Sequence, residues 1–105
     1  MLRIFMFVLA FVTFGFSSVD AKEIKVGIIL GFTGPIESLT PDMAAGAELA
    51  LKEASDSGAL MDGSTITAIR ADSTCIDSAA ATTAAEDLIS QGATALVGAD
   101  CSGVT

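Results

Sequence analysis

Two cysteines, Cys75 and Cys101, carry the most distinctive chemistry of this 105-residue chain, and Ser102 follows the second of them in the stretch ALVGADCSGVT. Four chemistries use such residues: thiol redox exchange, metal ligation, nucleophilic catalysis and a disulfide. A redox pair wants a C-x-x-C spacing, which is not present. Zinc needs further ligands, and the sequence has no histidine and no third cysteine. Ser102 as a nucleophile of the Ser-His-Asp kind lacks its histidine; another segment of the protein could supply one, so this weighs against an enzyme without excluding it. The carboxylates of Asp72, Asp77 and Asp100 fall in the same segments and read as caps and turn formers rather than metal ligands. No cofactor and no metal are expected.

Whether the cysteines pair depends on the compartment, and the start of the chain addresses that. Met-Leu-Arg is followed by the uncharged run IFMFVLAFVTFGF, Ile4 to Phe16, and then by SSVDA. Val19 and Ala21 stand in the minus-three and minus-one relation that a signal peptidase reads, so residues 1–21 read as a cleaved secretory signal peptide. The apolar run is shorter than the roughly 20 residues that a membrane span needs. No cysteine lies at the cleavage point to carry a lipid, so the exported protein is not expected to be embedded in a membrane. Export places Cys75 and Cys101 in an oxidising compartment and favours a disulfide. Two buried, reduced cysteines are the alternative, and they predict free thiols on titration.

Removing that segment takes five of the six phenylalanines and leaves Phe32. It removes one base, Arg3, and one acid, Asp20, so the net charge stays at −8. With only Lys22, Lys25, Lys52 and Arg70 as bases, the exported part is a poor partner for nucleic acid. The acidity reads as a solubility feature.

Short elements then alternate. EIKVGIIL, Glu23 to Leu30, is β-branched and continuously apolar at its end, as a strand buried on both faces must be. GFTGPIESLTP is a turn-rich loop, after which Thr40 reads as a cap and Pro41 as the first residue of a helix. Met43, Ala47, Ala50, Leu51 and Ala54 keep helical spacing, and Gly58 is placed to end it. STITAIRAD alternates as a second strand. DSAAATTAAEDLISQG is a second helix, capped by Asp77 or Ser78 and stopped by Gly92. TALVG reads as a short, buried third strand. The sum is an α/β protein, a doubly wound parallel sheet built as βαβαβ. Right-handed crossovers put the carboxyl ends of the strands at one edge, where ligands of such sheets bind. Gly31 to Pro35, Asp72 to Asp77 and Gly98 to Gly103 lie there, and so do both cysteines. The glycines at 27, 31 and 34 lack the G-x-G-x-x-G spacing of a dinucleotide site. A third helix is expected from about Gly103, with Ser102 as its N-cap. Residues 22–105 read as the first part of a longer protein.

IKVGIILGFTGPI, DMAAGAELA, ADSTC and ALVGADCS together resemble the periplasmic branched-chain amino-acid (Leu/Ile/Val) binding proteins, the solute receptors of ABC importers. The resemblance runs over essentially all of residues 22–105, and the two cysteines in register with the strands are its most specific part. It implies the N-terminal, incomplete lobe of a two-lobed periplasmic-binding fold and a Cys75–Cys101 disulfide near the cleft. It also implies that Ser102 binds the α-carboxylate of an amino acid through its hydroxyl and N–H, with Gly103 letting the backbone come close. The implied partners are a small amino acid or related solute and a membrane permease. Family members often set an aromatic residue against the ligand side chain, where this chain has Leu39; Leu39 also fits a staple packed before the Thr40 cap. That departure leaves an aliphatic amino acid, an amide, urea or an aromatic acid open as ligand. An extracellular sensing domain of a receptor on the same fold is the alternative to transport. Phe32 and Thr33 share the loop, and Phe32 fits packing as well as contact.

Overall fold

The computed structural model describes residues 21–60 and 63–105. Most of the segment read as a signal peptide lies outside them. The elements run β1 (Glu23–Leu30), α1 (Thr40–Asp56), β2 (Thr65–Asp72), α2 (Ser78–Ser90) and β3 (Ala93–Val97). The three strands form one parallel sheet in the order β2-β1-β3. From β1 the chain crosses to one side to form β2, then returns past β1 to form β3. Right-handed crossovers in opposite directions must lie on opposite faces of the sheet. The packing agrees, with α1 on one face and α2 on the other.

The central strand is β1, and its last five residues, Val26 to Leu30, are buried as the apolar run requires. On the α1 face, Ile28, Leu30 and Ala44 form the core, with Phe32, Ala47, Leu51 and Ala68 packed around them. The buried stripe of α1 is rotated from the one that the apolar spacing suggested. Ala44 is fully buried whereas Met43 is 47% exposed, and Ala50 is exposed too. A methyl side chain at 44 lets the helix lie close to the sheet, so Met43 is turned outwards. On the α2 face, Leu88 is fully buried over Gly27. A Cβ at Gly27 would come within 2.6 Å of Leu96 and 2.7 Å of Leu88, so the glycine sets the helix-to-sheet distance.

Four further expectations are corrected. Leu39, not Thr40, occupies the N-cap position of α1, and no side chain caps that end. Thr40 is the first helical residue and is fully buried; its hydroxyl donates to the Gly31 carbonyl at 3.1 Å, joining the helix start to the end of β1. Leu39 is 60% exposed, so it is not a packed staple. The third strand is not buried. Its residues run from half-buried to exposed, because β3 is the outer strand and α2 shields only part of it. Beyond it, Cys101 to Val104 form a single turn closed by the Val104 N–H on the Cys101 carbonyl at 3.0 Å, so Ser102 caps no helix among the described residues. The second helix is as read, with Asp77 as its cap: one carboxylate oxygen accepts from the N–H groups of Ala79 and Ala80 at 2.9 and 3.1 Å.

Candidate functional site

Parallel strands end together, so the loops after β1, β2 and β3 meet at one edge. In the order 2-1-3, the chain leaves β1 towards β2 while β3 lies on the other side of β1, and the general rule for doubly wound sheets places the ligand crevice between those two strands. The loops that flank it are Gly31–Leu39 and Gly98–Gly103. Each pair of the three loops is fastened by a different device.

The first and second loops meet at Asp72, the last residue of β2. One carboxylate oxygen accepts the Thr33 hydroxyl at 2.6 Å, and the other accepts the N–H groups of Thr33 at 3.2 Å and Thr74 at 2.8 Å. Partial burial pushes the Asp72 carboxyl up. The bonds from the Thr33 hydroxyl and from the N–H groups of Thr74, Thr33 and Phe32 outweigh that and hold it below the usual carboxylate range. The Ser73 N–H donates to the Leu30 carbonyl at 2.8 Å, carrying the β1–β2 pairing one residue past the strand. Gly34, at φ +101°, lies so close to the second loop that a Cβ would be 2.4 Å from the Thr74 carbonyl oxygen. No other residue fits that approach.

The first and third loops meet at Asp100, whose two carboxylate oxygens each lie 3.2 Å from the Gly31 nitrogen and accept its N–H. The second and third loops are joined covalently. Cys75 and Cys101 form a disulfide with their Cα atoms 5.2 Å apart. Thr74 and Cys75 both hold left-handed backbone, at φ 60° and 70°. That conformation costs roughly 1–2 kcal/mol per non-glycine residue. The Asp72 bond to the Thr74 N–H and the disulfide offset it, and so keep the turn aimed at the third loop.

Of the residues singled out from the sequence, the structure joins Cys75 to Cys101 and leaves Ser102, Gly103 and Leu39 exposed on the two loops beside the crevice. A Cβ at Gly103 would meet nothing within 4 Å, so the space in front of it is open. Phe32 is a packing residue on the α1 face. The sequence reading took Asp72 and Asp100 for turn formers and missed that each reaches across to the first loop. A signal was present, since both stand at or just beyond a strand end, where a parallel sheet brings loops together. Asp77 does cap. No group of three or more His, Cys, Asp or Glu side chains that could share a metal ion occurs among the described residues.

A largely apolar groove of about 320 Å³ lies on the α2 face beside β3 and runs up to the third loop, where Gly98 and Ala99 join Ile29, Ala81, Ile89 and Leu96 in its lining. Neither Ser102 nor Leu39 reaches it. Thr82, Glu86 and Thr105 add polar side chains to its lining. No helix among the described residues is long and apolar enough to cross a membrane.

Comparison with curated proteins gives no match. The family model described as periplasmic binding protein matches residues 23–105, from the first residue of β1 through the disulfide and the turn after it. The parallel sheet, with its three strand-end loops tied together at one edge, lies within that match, and the chain belongs to the periplasmic binding protein family.

Proposed function

We propose that this chain is the first part of the N-terminal ligand-binding lobe of the solute receptor of an ABC importer, which captures a branched-chain or related amino acid in the periplasm and delivers it to a membrane permease. Membership of a family of periplasmic binders carries the solute-binding role and agrees with export. The observation that carries the finer reading is the strand-end edge beside β1. Its two flanking loops are fixed to each other through Asp100 and Gly31, yet Ser102, Gly103 and Leu39 on them stay exposed. In this reading Ser102 and the backbone at Gly103 take the α-carboxylate, and Leu39 borders the aliphatic side chain. A second lobe, outside the residues described, closes over the solute about a hinge. The loops need little reordering on binding, which keeps the entropic cost of capture low.

A thermal-shift screen of the complete exported protein tests this against leucine, isoleucine and valine, with amides, urea and aromatic acids alongside. A ligand that binds only the folded form raises the melting temperature by mass action, by an amount equivalent to about 2.7 kcal/mol at a hundredfold excess over Kd. A large shift with one aliphatic amino acid supports the reading and names the cargo. Shifts confined to amides, urea or aromatic acids move it to another solute of the same fold. No shift with any of them favours a sensing role for a different ligand.

A further inference from the structure

On the α1 side of the sheet, three residues from three elements form a continuous chain of contacts. Glu48 of α1 accepts two bonds from the Arg70 guanidinium of β2, Nε to Oε1 at 2.5 Å and the second nitrogen to Oε2 at 2.8 Å. The guanidinium carbon in turn lies 5.6 Å from the centre of the Phe32 ring, within cation–π range. Phe32 stands at the start of the Gly31–Leu39 loop and packs on the core. The next residue, Thr33, is held by Asp72, which lies two positions along β2 from Arg70 and so on the same face. One strand therefore grips two successive loop residues, one by a carboxylate and one through a ring.

We infer that the Glu48–Arg70–Phe32 contact chain is a positioning device for the loop that borders the crevice. Arg70 is the positioning residue, acting on the loop through the Phe32 ring. The importance of that loop for a solute rests on the binding reading above; the order of the loop does not. The planar fork matters because one face of it can lie on the ring while its edge meets both oxygens of Glu48, a geometry that an ammonium cannot copy. Mutual hydrogen bonding holds the Glu48 carboxyl below its usual range and raises Arg70. Both side chains are partly exposed, at 36% and 41%, so the pair is a local clamp rather than part of the core.

Hydrogen–deuterium exchange on the complete exported protein without ligand tests this directly. The reporters are the loop amides: Phe32 on the Leu30 carbonyl at 3.0 Å, Thr33 on Asp72, Glu37 on the Gly34 carbonyl at 3.2 Å and Leu39 on the Ile36 carbonyl at 2.9 Å. Arg70→Ala is expected to raise exchange of these amides about tenfold, from the combined loss of an exposed fork and a ring contact. Exchange within β1 and α2 is expected to stay unchanged. Arg70→Lys keeps the charge but leaves exchange raised. The inference is overturned if the loop amides do not respond, if β1 and α2 rise equally with them, or if lysine restores full protection. Because no ligand is present, failure here is distinct from failure of the solute screen.

Discussion

On the β2 side of β1, the first loop is held by many small noncovalent ties: Thr40 to Gly31, Asp72 to Thr33, the close approach of Gly34 to Thr74, and Arg70 over Phe32. On the β3 side, the third loop is held by the Asp100 carboxylate on the Gly31 N–H, by the close approach of Gly98 to the Ile29 carbonyl, and by a disulfide to Cys75 in the second loop. The two flanks also differ in cover. The α1 face is packed over Ile28 and Leu30, whereas Ile89 and Leu96 are 60% and 38% exposed at the groove beside β3. Where packing is dense, weak bonds suffice to order a loop, because its neighbours are already fixed. Where packing is sparse, a covalent bond takes the place of the missing core. The β3 side, with least burial, is held by a cross-link whose other end, Cys75, is anchored on the β2 side.

The largest expected effect comes from cutting that cross-link. The disulfide spans 26 residues, and the chain-entropy model gives it about 3.5 kcal/mol. The complete protein with Cys75→Ser/Cys101→Ser is expected to melt on the order of 10 °C lower. Exchange of backbone amides is expected to rise most at Gly98–Gly103 and least at Gly31–Leu39. Equal loosening of the two loops would break the comparison. Two free thiols titrating in the native, unreduced protein would remove its basis.

A smaller effect, on the opposite flank, is expected from Gly34→Ala. The new Cβ meets the Thr74 carbonyl oxygen, and the φ of +101° is one that side chains rarely adopt. The expected loss is about 1–3 kcal/mol, read from denaturant midpoints. A loss below 0.5 kcal/mol, roughly the scatter of surface substitutions, would mean that the approach of the two loops is not tight in solution.

The same contrast explains what could be read from the sequence. The five elements, their order and their wrapping were legible because a β-branched run such as VGIIL, a Pro41 after Thr40 and an Asp77 before AAATTAA are local signals. The disulfide was legible because topology and compartment together bring Cys75 to Cys101. Burial was misread at Met43 and along β3. Apolar spacing fixes a stripe only to within a residue, and an outer strand has the same composition as an inner one. The ties between the strand-end loops were hidden for another reason: whether Asp72, besides capping its own turn at Thr74, also reaches Thr33 is decided by the distance between two loops, which no local pattern encodes.

The smallest effect concerns Asp72 itself and separates its charge from its shape. In the fold its carboxyl sits below the usual range, so it is stabilising in the charged form. A depressed acid contributes fully above its unfolded value of about 3.9, and the contribution is lost as pH falls through the lower folded value. Asparagine at this position keeps one carbonyl oxygen for the N–H groups of Thr33 and Thr74, and it cannot titrate. The melting temperature of the natural protein is therefore expected to exceed that of Asp72→Asn slightly at pH 7. The gap should narrow below about pH 4, as the aspartate protonates. Exchange at Thr33 should follow the same course, because its N–H and hydroxyl both meet this carboxylate. A gap that is constant with pH would assign the tie to shape alone. The β2 flank would then owe its order to packing and to the Arg70 clamp rather than to charge.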